Sequence, residues 1–147
     1  MILRSRPWRR FIFYPEVFYW LGRIAREFDY ELVLVTNQDG LGTSAFPDEP
    51  FFTTHRFIMN VFEGEKIHFS AEHIDRTYPY ENKPTRKPGT GMLTQYFSPD
   101  YDLKNSFVIG DRITDVVLAK NLGAKAFWLN DGRGLGVGEI KENQRNP

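Results

Sequence analysis

The sequence contains no cysteine. Disulfides and thiolate metal sites are therefore excluded, and a secreted, stapled fold is not expected. It has no surplus charge: Lys plus Arg and Asp plus Glu are both 19. A balanced chain is a poor general binder of nucleic acid, so no nucleic-acid partner is expected. No apolar run approaches the roughly 20 residues that span a bilayer, and no membrane partner is expected. An apolar h-region with a small-residue cleavage site is also lacking near the start, which leaves a cytoplasmic location as the default.

What is present suits one globular domain. Hydrophobic residues make up 41% and charged residues 26% of 147, enough for a single core. The charge is uneven in one place. Arg4, Arg6, Arg9 and Arg10 crowd the first ten residues around Trp8, without an acid. This reads as an atypical basic leader over 1–10, or else as a basic arm for nucleic acid or a transit peptide. The domain is expected over 11–130, with a linker or tail over 131–147.

Apolar spacing of three and four over Val17, Phe18, Leu21, Ile24, Ala25 and Phe28 predicts a helix over 16–28. Leu32-Val33-Leu34-Val35 reads as a strand buried on both faces. A second helix is expected over 51–62, with Phe51, His55, Ile58, Met59 and Phe62 on one side. A strand is expected over 67–74, an irregular stretch with Pro79, Pro84, Pro88, Gly89 and Gly91 follows, and a short helix covers 92–97. Ser106-Phe107-Val108-Ile109 reads as another buried strand. A helix then opens at Thr114 or Asp115 and runs to Leu122, where Gly123 stops it. Ala126 to Leu129 is the last strand. Alternating strands and helices predict an α/β fold: an open, mostly parallel, Rossmann-like sheet with helices on both faces. Ligands in such folds sit beyond the carboxyl ends of the strands.

Three polar segments lie in such places. Thr36-Asn37 ends a strand, where a hydroxyl and backbone N–H groups can hold phosphate oxygens or simply cap a turn. Arg86-Lys87-Pro88-Gly89 lies in the long loop. Its lysine can neutralise a phosphate, though a solvated basic loop has the same composition. Gly110-Asp111-Arg112-Ile113-Thr114-Asp115 places two carboxylates across a strand end and a helix start. Hard carboxylate oxygens suit Mg²⁺, which usually takes one or two from protein. Asp115 alone could be a helix cap.

Taken in this order, the three segments resemble the motifs of the haloacid dehalogenase (HAD) superfamily of phosphatases. Thr36, Lys87, and Asp111 with Asp115 match its second, third and fourth motifs. Val35 to Thr43, Arg86-Lys87-Pro88 and Ile109 to Asp115 together are similar to the histidinol-phosphate phosphatases. In many bacteria these form the N-terminal half of a bifunctional protein. The resemblance runs from about Phe11 to Asn130. It implies Mg²⁺ held by Asp111 and Asp115, and phosphate held by Thr36, Asn37 and Lys87. It also implies a substrate loop with Gln38, Asp39 and Arg86, and a small phosphomonoester substrate, L-histidinol phosphate.

Two features depart from the family. Some members carry a zinc site of cysteines and a histidine before the Arg-Lys-Pro segment. Here that stretch, Ile74 to Asn82, has no cysteine, and His73 cannot make a site alone, so no zinc is expected. Members also begin with an Asp-x-Asp-Gly-Thr motif that supplies the nucleophile and the general acid. The acids upstream of Thr36 are Glu16, Glu27, Asp29 and Glu31, none in that context, so no catalytic residue is assigned. The family's first strand, which the resemblance places mid-sheet, is thus missing or replaced. The leading expectation is a form whose true start lies upstream, inactive as given. The alternatives are a catalytically dead domain kept for binding or scaffolding, and a different residue as nucleophile.

Overall fold

The computed structural model describes residues 12–129. The leader over 1–10 and the tail over 131–147 lie outside them. The elements alternate as expected: α1 (Val17–Glu27), β1 (Leu32–Asn37), α2 (Asp48–Gly64), β2 (Phe69–Asp75), β3 (Phe107–Gly110), α3 (Ile113–Leu122) and β4 (Lys125–Trp128). The short helix near 92–97 is a 3-10 turn at Thr94–Phe97, and two further 3-10 turns stand at Pro79–Glu81 and Leu103–Asn105. No helix among the described residues is long and apolar enough to cross a membrane.

The described chain falls into two compact units. One holds residues 12–35 and 40–72; the other holds 36–39 and 73–129. In the first, Phe13 and Phe18 meet Phe62 of α2, with ring centroids 5.8 and 5.3 Å away. Phe62 in turn meets Phe69 of β2 at 5.3 Å. The apolar stripe of α1 therefore finds its partner in the apolar stripe of α2, as the spacing requires. Phe28 does not join that stripe. The helix ends before it, and Phe28 is exposed in extended backbone. Ile67 is fully buried, and its N–H donates to the Phe62 carbonyl.

In the second unit, β3 and β4 pair in parallel, with Phe107 opposite Lys125 and Gly110 opposite Trp128. α3 connects them, which makes a strand–helix–strand crossover. Its stop is the one expected: Gly123 takes the left-handed conformation at φ 74°, and its N–H donates to the Ala119 and Lys120 carbonyls. The helix begins slightly earlier than Thr114, at Ile113. Leu118 and Ala119 of α3, with Leu93 and Tyr96, are the buried apolar residues here.

The strands depart from expectation in burial. Among the described residues they form two sheets of two strands, β1 with β2 and β3 with β4. None lies between two others. β1 is half-buried throughout, β3 alternates between exposed and half-buried residues, and all of β4 is exposed. The continuous apolar runs look like doubly covered strands, but face cover comes from what packs above and below a sheet, and here β3 and β4 leave apolar side chains exposed.

Candidate active site

All eight residues singled out from the sequence for phosphate, metal or substrate fall in the second unit. Thr36 and Asn37 are the last two residues of β1. The Asn37 side chain works as a double clamp on the distant loop: its Nδ2 donates to the Lys87 carbonyl and its Oδ1 accepts from the Lys87 N–H, both at 3.0 Å. Only a neutral amide offers a donor and an acceptor side by side in this way. Thr36 Oγ1 accepts from Gln38 Nε2 at 2.9 Å, and the Gln38 N–H donates to the Asp75 carbonyl at 2.7 Å.

The loop that carries Arg86 and Lys87 is folded rather than solvated. An added Cβ on Gly89 or Gly91 would stand 2.3 or 2.7 Å from the Pro84 carbonyl oxygen, so both positions need glycine for close backbone approach. The Lys87–Pro88 peptide is cis. The Lys87 side chain is only 12% exposed, and its Nζ lies 2.7 Å from Asp115 Oδ1. Arg86 Nη1 donates to Asp39 Oδ1 at 2.6 Å and to the Thr77 carbonyl at 2.5 Å. Asn121 of α3 adds a third hold, donating from Nδ2 to the Pro88 carbonyl at 2.8 Å.

Asp111 and Asp115 flank the turn from β3 into α3. Asp115 is buried and does two things. Its Oδ2 accepts from the Arg112 N–H at 3.1 Å, as a residue in the first turn of a helix can. Its Oδ1 takes the Lys87 ammonium. Gly110 makes room for that carboxylate: a Cβ there would stand 2.1 Å from Asp115 Oδ2. The Asp111 carbonyl accepts from Trp128 Nε1 at 3.1 Å, and the Gly110 carbonyl accepts from the Leu129 N–H at 2.7 Å. The turn is thus fixed from the β4 side.

The donor set suits a hard divalent cation. Among the described residues no group of three or more His, Cys, Asp or Glu could hold a metal. Mg²⁺ asks for less, binding through one or two carboxylates and keeping its waters. Asp115 accepts two hydrogen bonds, and an ionised carboxylate has about four lone-pair positions, so capacity remains.

Sequence reasoning overlooked Asp75. It is 4% exposed at the end of β2. Its Oδ1 accepts from Thr77 N–H at 2.8 Å and Thr77 Oγ1 at 2.5 Å, and its Oδ2 accepts from Thr85 Oγ1 at 2.6 Å. Burial alone would raise its pKa, but the hydrogen bonds from Thr77 and Thr85, with the Arg86 charge, hold it below the usual carboxylate value. An Asp closing a strand with Thr two residues on is an Asx-turn pattern, and that signal was available. His73 belongs to the packing. Its Nε2 lies 3.0 Å from the hydroxyl of the buried Tyr96, and burial lowers its pKa.

Residues 84–145 match the family model described as HAD-hydrolase-like. The bifunctional histidine biosynthesis protein HisB of Spirosoma linguale is 56% identical over 123 residues, which is 84% of this chain and 32% of that protein. HisB of Bacteroides fragilis is 55% identical over 120 residues, 81% of this chain and 32% of that protein. The chain thus spans about a third of the length of the curated relatives it matches. Among solved structures, a D,D-heptose 1,7-bisphosphate phosphatase from B. bronchiseptica, complexed with magnesium and phosphate, superposes with a TM-score of 0.70. It is 23% identical, with 90% of this chain and 72% of that one covered. The chain thus shares the fold of that phosphatase, matches the HAD-hydrolase-like model over residues 84–145, and over most of its length is similar to a part of the bifunctional histidine biosynthesis proteins.

Proposed function

We propose that this chain carries the phosphate-holding and metal-holding portion of a phosphomonoester hydrolase site whose substrate is L-histidinol phosphate. The observation that carries the reading is the placement of Lys87. Asn37 clamps its backbone and Asp115 holds its ammonium. One lysine thereby joins the end of β1, the long loop and the start of α3. In this reading Lys87, Thr36 and Asn37 face the phosphate oxygens, and a fixed ammonium offsets charge that builds up in the transition state. Arg86, Gln38 and Asp39 border the rest of the substrate. Asp111 and Asp115 would hold Mg²⁺, which supplies further charge neutralisation when bound. The similarity to HisB proteins supports the histidinol phosphate assignment. The heptose bisphosphate phosphatase of the same fold, solved in complex with magnesium and phosphate, supports those two as ligands.

The sequence holds no Asp-x-Asp-Gly-Thr, so the expected behaviour is binding without turnover. Loss of a covalent nucleophile costs on the order of a million-fold in rate. The test is a phosphate titration of the purified chain with and without Mg²⁺, beside a phosphate-release assay with L-histidinol phosphate. Mg²⁺-dependent binding that Lys87→Met abolishes, with release at background, is the expected pair of results. Failure to bind phosphate at all would refute the reading. Steady release abolished by Asp111→Ala would show that another residue serves as nucleophile.

A further inference from the structure

We propose that Asp75 is a positioning residue: its buried carboxylate clips the loop between Thr77 and Thr85 shut and so sets Arg86 and Lys87 in place. The inference rests on the reading of Lys87 and Arg86 as groups that meet the phosphorylated substrate. Its geometry stands apart from that reading. Each carboxylate oxygen takes one end of the same loop, Oδ1 from Thr77 and Oδ2 from Thr85. Arg86 and Lys87 follow Thr85 directly in sequence. The Asp75 carbonyl holds the other side, accepting from the Gln38 N–H at 2.7 Å. One residue therefore ties together the ends of β1 and β2 and the root of the Arg86-Lys87 segment.

The chemistry suits a carboxylate. All three side-chain contacts are donors, and an ionised carboxylate is an acceptor on both oxygens, whereas an amide must turn a donor toward one of them. A buried carboxylate is costly unless its hydrogen bonds are made, and here they are made by a single loop. That loop is stiffened inside as well. Glu81 Oε2 accepts from the Tyr78 N–H at 2.7 Å in the 3-10 turn Pro79–Glu81. Arg86 then lies between two acceptors, the Thr77 carbonyl, which the clip fixes, and Asp39. Opening the clip frees the first of these and loosens the backbone from which the Arg86 and Lys87 side chains project.

The experiment uses the full chain with Thr85→Val, Thr85→Ser and Asp75→Asn. Val keeps the shape of Thr85 and loses its hydroxyl; Ser keeps the hydroxyl and loses the methyl. Amide hydrogen exchange over 76–91 and the dissociation constant for inorganic phosphate with Mg²⁺ are measured on each. Faster exchange confined to 76–91 in Thr85→Val and Asp75→Asn, with Thr85→Ser close to the parent, is expected. Phosphate should bind about tenfold more weakly in the first two, the loss of one charge-assisted hydrogen bond. Thr85→Val indistinguishable from the parent in exchange would overturn the clip, as would Thr85→Ser failing where Val succeeds, since that ranking means space-filling. Faster exchange with unchanged phosphate affinity would overturn the positioning role. If the parent chain binds no phosphate, the functional reading of the site falls, and the exchange ranking alone decides the clip.

Discussion

Replacing Gly110 by alanine tests the packing at the turn between β3 and α3. The glycine's φ is not the issue; space is. The new Cβ would lie 2.1 Å from Asp115 Oδ2, 2.3 Å from Cγ and 2.7 Å from Cβ. Because the Asp115 Cβ itself collides, no rotation of that side chain relieves the clash. Either the start of α3 moves or the turn opens. Overpacking of this kind costs about 1–3 kcal/mol. If Asp115 is displaced it also loses Lys87 and the Arg112 N–H, and a hydrogen bond to a charged group contributes about 1.5–3 kcal/mol. A total of about 2.5–6 kcal/mol is a large part of the roughly 5–15 kcal/mol that stabilises a domain. With a urea slope of about 1.5 kcal/mol/M, the midpoint should fall by about 2–4 M. The internal control is Gly64→Ala, at the end of α2, where a Cβ meets nothing within 4 Å. That change should leave stability equal or raise it by up to about 1 kcal/mol. Urea unfolding followed by circular dichroism reads both. A Gly110→Ala midpoint equal to the parent's would refute the argument.

Asn37→Asp should weaken the hold on the loop, because an ionised carboxylate cannot donate to the Lys87 carbonyl. A loss of about 1–3 kcal/mol follows from leaving that acceptor unpaired, visible as a lower urea midpoint, and Asn37→Ala should do at least as much. Asp75 has a depressed folded-state pKa. Its contribution to stability is therefore fully present above the unfolded carboxylate value, near 3.8, and is lost as pH falls through the lower folded value. Acid titration of Asp75→Asn should show a shallower decline than the parent below that value; parallel curves would remove Asp75 from the account. Arg23 and Glu27 pair at 2.7 Å, with side chains 40% and 46% exposed. Exposed pairs of this kind contribute little, so Arg23→Ala should leave the thermal midpoint unchanged, and a clear drop would show the pair to be structural.

Much of this molecule was legible as text. The three-and-four spacing of Val17 to Ala25 and the glycine after Leu122 pointed to α1 and the end of α3, because local backbone geometry and a single buried stripe decide them. The motif residues at strand ends also came together, Lys87 with Asn37 and Asp115. The burial of the strands was not legible. Leu32 to Val35 and Phe107 to Ile109 have the composition of central strands, but cover comes from neighbours, and periodicity says nothing of which neighbours are there. Asp75 was passed over for a related reason. Its partners Thr77 and Thr85 look like ordinary loop residues until a fold turns both toward one carboxylate.

The clamp between Asn37 and Lys87 bears on the order of assembly. It joins residues 50 apart. Closing a flexible loop of that length costs about 3.5 kcal/mol from its length-dependent part alone. Two hydrogen bonds return only about 1–3 kcal/mol net. The clamp therefore cannot lead. Once the Gln38 N–H has met the Asp75 carbonyl, the open loop shrinks to the stretch from 75 to 87, and the cost drops to about 2.2 kcal/mol. That is within reach of two bonds. Pairing of β1 with β2 should come first, and capture of the lysine segment after it. In a refolding experiment with pulsed exchange, the amide of Lys87 should gain protection later than those of β2. The lysine at the centre of the proposed site would then be among the last groups to arrive.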